Sequence, residues 1–258
     1  MSFNKNELIL DRVRALSTYD LETDDMMFRL ASLEDPSLNT TAEGEEVVDA
    51  VGSVIANLYR AKKGAFSATN SLLSLDLAAA QYGATKEVAS SDNKIKMYAQ
   101  QILKIDNGTV KIEKENIIAD SVKMAAYNGD IGVFFKSGES ADANTFVVGD
   151  DGTITVPTGV TGKVYVDYAY ESTNAVRIMN RASEFPTACK VVIHAIFRDK
   201  CNENIVYAGN IVCPKAKLNP EQVELALTSI GKHPFEFTMM KDYCNEDEDN
   251  LFYIAVAE

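Results

Sequence analysis

VGDDGTITVPTGVTGKVYVDYAY, residues 148–170, alternates between two faces. Val164, Val166 and Tyr168 fall on one side of an extended chain, and Tyr165, Asp167 and Ala169 on the other. Asp151-Gly152 and Thr161-Gly162 punctuate the run as turns. The same grammar extends upstream to about residue 97. Asn107-Gly108 and Asn128-Gly129 separate the β-prone runs YAQQILKI, VKIEKENI, IGVFFK and NTFVVG. The spacing predicts a small antiparallel sandwich or barrel module over 97–172.

Downstream, CKVVIHAIFRDK and CNENIVYAGNIVCPKA read as strands joined by a polar turn over Asp199–Asn204. VELALTS, PFEFTMMKDY and a final LFYIAVA complete the C-terminal set, the last after the acidic turn CNEDEDN. Upstream the signals are mixed. Leu8, Ile9, Val13 and Leu16 sit at near-helical spacing, which predicts a short helix or a docking arm. Residues 26–31 read as a short strand, and SLEDPSLNTTAEGEE as a polar loop holding Pro36 and Gly44. Residues 46–69 predict one or two strands, with bends at Gly52 and Gly64. NSLLSLDLAAAQYG predicts the one clear helix, capped by Thr69 or Asn70 and closed by Gly83 in a left-handed conformation. Residues 84–95 are polar and read as a loop.

The expected fold class is mainly β with a minor α component. It comprises two packed antiparallel sheets, one flanking helix near 70–82, and a small β-module insertion. The expected divisions are 1–96, an N-terminal arm and first part of the β-domain; 97–172, an inserted or add-on module; and 173–258, the strands that complete the β-domain.

Composition bounds the function. The 258-residue chain has a formal net charge of −13, so it lacks the cationic surplus needed to wrap nucleic acid. Residues 1–50 concentrate the excess, with twelve Asp and Glu against four basic side chains. No run approaches the ~18 apolar residues of a membrane span, and the N-terminal residues lack a signal-type apolar core. The four cysteines, Cys189, Cys201, Cys213 and Cys244, form no CxxC pair. They read as free buried thiols of a protein made in a reducing cytoplasm.

Catalytic and cofactor motifs are absent from the sequence. There is no GxSxG elbow, Walker loop or GxGxxG. Of the two histidines, His194 lies in a strand and His233 precedes a proline at an expected turn. Cys189 and His194 are five residues apart in one strand, which places them on opposite faces and argues against a metal pair or a nucleophile–base pair. An EF-hand register starting at Asn245 fails, because Asn250 and Val256 occupy its glycine and glutamate positions. A solvated hairpin tip is the expectation there. No metal, cofactor or catalytic residue is assigned. The basic cluster Arg60, Lys62 and Lys63 in so acidic a chain suggests electrostatic self-complementarity. With His194, Ile196 and Arg198 it forms the candidate subunit interface.

Two segments carry a family resemblance. LYRAKKGAFSATNSLLSLDLAAAQYG (58–83) resembles the strand-then-helix block of bacteriophage major tail tube proteins, as does the run from YAGNIVCPKAKL to LFYIAVA (207–257). TITVPTGVTGKVYVDYAY looks like the β-sandwich add-ons of phage virion proteins. The resemblance implies hexameric rings stacked into a tube, with hairpins of each subunit joined around a lumen. It also implies passage of DNA without specific binding and a place in the virion tail. Identical subunits are the implied partners, together with sheath, tape-measure, baseplate and tail-terminator proteins. The alternatives are another phage ring or shell component, such as a terminator, baseplate hub or decoration protein, and a soluble ligand-binding β-module.

Overall fold

A computed structural model describes residues 7–221, 223–224, 231–243 and 249–257. The chain forms two compact units, residues 1–86 with 178–258, and residues 87–177. The first unit opens with strands β1 (Leu8–Asp20), β2 (Met26–Leu30), β3 (Leu33–Val48) and β4 (Val54–Asn70), then helix α1 (Leu75–Tyr82). The second holds β5 (Glu87–Val88), β6 (Ile95–Lys104), β7 (Thr109–Lys111), β8 (Lys123–Tyr127) and β9 (Ile131–Phe134). It continues with β10 (Lys136–Ser137), β11 (Thr145–Val148), β12 (Thr153–Thr155), β13 (Lys163–Ser172) and β14 (Val176–Arg177). The first unit resumes with β15 (Ala188–Asp199), β16 (Val206–Leu218), β17 (His233–Met239) and β18 (Tyr253–Ala257). The expected class holds: the protein is mainly β, with several antiparallel sheets and, among the described residues, one α-helix.

The first unit is built on a sheet ordered β2-β1-β15-β16-β17-β4-β3, with β18 also paired to β16. Its terminal strands, β2 and β3, are consecutive in sequence. Only Ala31 and Ser32 separate them, a link that spans roughly 10 Å at most. The sheet therefore curls until its two ends approach, and the β3–β4 pairing extends into this link, where the Ser71 N–H donates to Ser32 O at 2.8 Å. Side chains from both ends of the strand order accordingly share one core: Phe28 and Leu30 from β2, Phe66 from β4, and Val191, Ile193 and Phe237 from the middle. Each such side chain contributes about 1.5–3 kcal/mol on burial.

Ser74, rather than Thr69 or Asn70, caps α1, its hydroxyl accepting from the Leu77 N–H. Asn70 instead belongs to the end of β4. Gly83 closes the helix at φ 65°, and Ala84 N–H donates to Ala79 O at 2.8 Å, the double bonding of a left-handed helix stop. A Cβ on Gly83 would lie 2.2 Å from the Phe185 carbonyl oxygen, so only glycine fits there.

Two sequence expectations are corrected. Residues 8–20 are a strand that docks along β15, not a short helix. The β1–β15 ladder shifts register between Leu10 and Arg12 and again between Val13 and Ala15. These bulges break the alternation and leave apolar residues at spacings that imitate a helix. Residues 33–48 are also a strand rather than a loop. Pro36 is accommodated by a register shift between Glu34 and Ser37, beside Asp35 at φ 49°.

The second unit is a small sandwich. One sheet is ordered β6-β13-β8-β9 and the other β10-β11-β12-β7. Val164, Val166 and Tyr168 of β13 face inward onto Met124, Phe146 and Ile154, as the alternation requires. The Asn107-Gly108 turn has both φ values positive (49° and 77°), the geometry this dipeptide favours in a tight hairpin. VKIEKENI yields only the three-residue β7. The 84–95 stretch adds the two-residue β5, which pairs with β14 and is bridged by Arg177 and Glu87 at 2.6 Å.

The expected VELALTS strand lies largely outside the described residues, as do Cys244 and most of the acidic turn at 244–248.

Candidate assembly interface

β3 and β4 pair along nearly their whole length, from Leu33↔Asn70 to Val48↔Val54. Only the end nearest the core is buried. From residue 39 to 63 every position is exposed except the half-buried Asp49. About ten residues of each strand thus project as a bare two-stranded ribbon, roughly 30 Å long at ~3.3 Å per residue.

Its tip turns on Asp49, whose carboxylate accepts the Val51 and Ser53 N–H groups at 2.9 and 2.8 Å. These bonds hold the Asp49 carboxyl below its ordinary pKa. Gly52 supplies the positive φ of the turn. The ribbon also exposes apolar side chains, with Val51 89%, Tyr59 74% and Ile55 66% accessible. An isolated two-stranded hairpin is marginal in water, and an exposed apolar one needs a partner surface. In the sequence this segment reads as a polar loop followed by one or two strands. The D-x-x-G signature flanked by VV and VIANL was the available signal for a hairpin tip.

Of the candidate interface residues, Arg60, Lys62 and Lys63 lie on this ribbon. Arg60 is paired with Glu45 across it, and Lys63 with Glu43 at 3.1 Å. His194, Ile196 and Arg198 lie elsewhere, on the face of β15 that turns away from the core. His194 Nδ1 bonds Asn210 Oδ1 at 2.9 Å. Arg198 donates to Glu203 O at 2.7 Å and to Asp11 at 3.1 Å. Ile196 pairs with Ala208 on one side and Arg12 on the other. The six residues therefore form two separate groups, one on the arm and one on the sheet.

The groups with catalytic potential are structurally committed. His233, expected at a turn, begins β17 and is fully buried. Ser74 N–H donates to its Nδ1 at 3.4 Å and Gln81 Oε1 lies 2.6 Å from its Nε2. That pattern requires the neutral imidazole with the proton on Nε2. Burial lowers its pKa accordingly. Cys189 and Cys213 are buried free thiols, their pKa values pushed up to about 12 chiefly by burial, and so are poor nucleophiles, whereas Cys201, expected buried, is exposed in the turn after β15. Cys189 faces the core and His194 the opposite side of β15. Among the described residues no group of three or more His, Cys, Asp or Glu is arranged to hold a metal ion. Nor is any helix among them long and apolar enough to cross a membrane.

The model of the YomU/Tube protein family matches residues 8–254. The chain belongs to this family of phage tube proteins. No curated protein matches it. Membership carries a structural role in a phage tail and points away from catalysis. The match runs through both units, so the 87–177 sandwich falls within the YomU/Tube match along with the curled sheet.

Proposed function

We propose that this chain is the repeating subunit of a phage tail tube, closing into hexameric rings that stack around a channel for DNA. The observation that carries this reading is the bare β3–β4 arm, an element that gains a full set of contacts only against another molecule. Ring closure and stacking supply that partner many times over, and closed symmetry limits where free strand edges remain. The net charge of −13 suits a conduit, since carboxylates along the channel repel passing phosphates and keep transit free of sticking.

In this reading the arm, with Arg60, Lys62 and Lys63, and the sheet face, with His194, Ile196 and Arg198, meet identical subunits. Sheath, tape-measure, baseplate and terminator proteins occupy the outer wall, the channel and the two ends. Negative-stain microscopy of the concentrated protein tests it. Long hollow tubes are expected. Isolated rings that never stack would point to a terminator or hub, and a persistent monomer in gel filtration would sink the assembly reading.

A further inference from the structure

The sheet face that turns away from the core carries a cleft of about 480 Å³ where β1, β2, β15 and β16 meet. Ile196, Val206 and Ala208 give it an apolar wall. Arg14, Arg29, His194 and Asn210 give it a polar one, and no carboxylate lines it. Arg14 is there because of a bulge. Val13 pairs with Ala195 and Ala15 with His194, so Arg14 is the extra residue in the ladder. Bulges re-aim side chains in this way. Arg29 reaches the same place by pairing opposite Ser17. His194 is fixed between Asn210 and the Ser17 hydroxyl.

The cleft is unusual for this molecule. Arg60, Arg177, Arg181 and Arg198 each have a carboxylate partner. Among the described residues Arg12, Arg14 and Arg29 have none, and of these Arg14 and Arg29 line the cleft. Two uncompensated guanidiniums therefore face one hollow in a chain of net charge −13. Such a site is organised for an anionic group, and its apolar wall selects one attached to hydrophobic surface.

The tip of the β3–β4 arm has that chemistry. Residues 44–58 contain Glu45, Glu46 and Asp49 and no lysine or arginine, interleaved with Val47, Val48, Val51, Val54, Ile55 and Leu58. Glu45 is held by Arg60 and Asp49 is spent on its own turn, which leaves Glu46 as the free carboxylate. We infer that the arm tip of one copy seats in the Arg14–Arg29 cleft of the next. Glu46 meets the guanidiniums, and the valine-rich edge covers Ile196, Val206 and Ala208. Cleft and tip are different surfaces of one chain, so the contact is heterologous and propagates from copy to copy. The inference rests on the tube reading and specifies its joint.

The test is a cross-link between separately labelled copies. Two proteins are made with Cys201 and Cys244 replaced by serine, one carrying Val48→Cys and the other Ala208→Cys. The two are mixed under assembly conditions and oxidised. A disulfide-linked dimer in the mixture, absent from either protein alone, is the expected result. In parallel, Arg14→Glu with Arg29→Glu should lower the assembled fraction at least tenfold at low salt, and adding Glu46→Arg should recover a substantial part of it. Should the double charge reversal fail to fold, Glu46→Arg alone, on an exposed position, should show the same loss.

Normal assembly without a cross-linked dimer overturns the inference and leaves the tube reading intact. A loss of assembly that Glu46→Arg does not repair, again without the cross-link, assigns the cleft to another occupant and also overturns it. Failure of the unmodified chain to assemble under microscopy counts against the tube reading itself.

Discussion

Tyr168 buries a hydroxyl that finds no hydrogen-bond partner among the described residues. Burial also raises the pKa of that hydroxyl. An unsatisfied buried polar atom carries its full desolvation cost, whereas the ring carries the packing. Tyr168→Phe is therefore expected to stabilise the 87–177 unit by about 1 kcal/mol, read as a higher denaturant midpoint. His233 makes the opposite case, because its polar atoms are all engaged. Its pKa is depressed in the folded state, so below the ordinary value near 6.5 the unfolded chain takes up a proton that the folded chain refuses. Stability from this group is complete above that pH and declines as pH falls through it. His233→Gln should flatten the decline in urea midpoints between pH 8 and pH 5. It should also cost roughly 1–3 kcal/mol at neutral pH, through a broken buried network. An unchanged slope in the variant would mean another group sets the acid limb. The inward set Val164, Val166 and Tyr168 was legible from alternation alone. The place of Arg14 was not, because a bulge exists only in the pairing of two strands.

Most elements with a core face were readable in this sequence, and the bare half of β3 was not. β15 and β13 alternate because one side of each is dry. The distal part of β3 has no dry side in the single chain, so nothing imposes alternation and the segment resembles a loop, whereas distal β4, equally bare, still reads as strand from its β-favouring residues. β1 has a dry side, but two bulges scramble its period. The arm's independence from the core leads to a prediction. Replacing residues 43–60 by Asn-Gly, a dipeptide suited to a tight hairpin, should leave the thermal midpoint within a few degrees. The same change should abolish assembly in gel filtration and microscopy. A large drop in the midpoint would show that the ribbon supports its own subunit.

Across the whole molecule, the mainly β class and single helix follow from local pattern, but the closure of the first unit does not. Curling of the sheet depends on β2 and β3 being sequence neighbours and sheet-order extremes at once. That relation becomes visible only after 33–48 is recognised as a strand. β16 adds a second long-range feature, because it serves two partners on the same side. Residues 208–212 pair with β18 and residues 216–218 with β17. Pro214, which has no N–H to give, occupies the interval between them.

That interval acts as a firebreak. Because no ladder bond bridges Pro214 on that side, the last strand can peel away from β16 without loosening β17, and β17 can hold the core while the chain's end breathes. Amide hydrogens at 253–257 should therefore exchange with deuterium in a separate, faster step than those at 237–239. Identical protection across both sets would mean that the two ladders open as one.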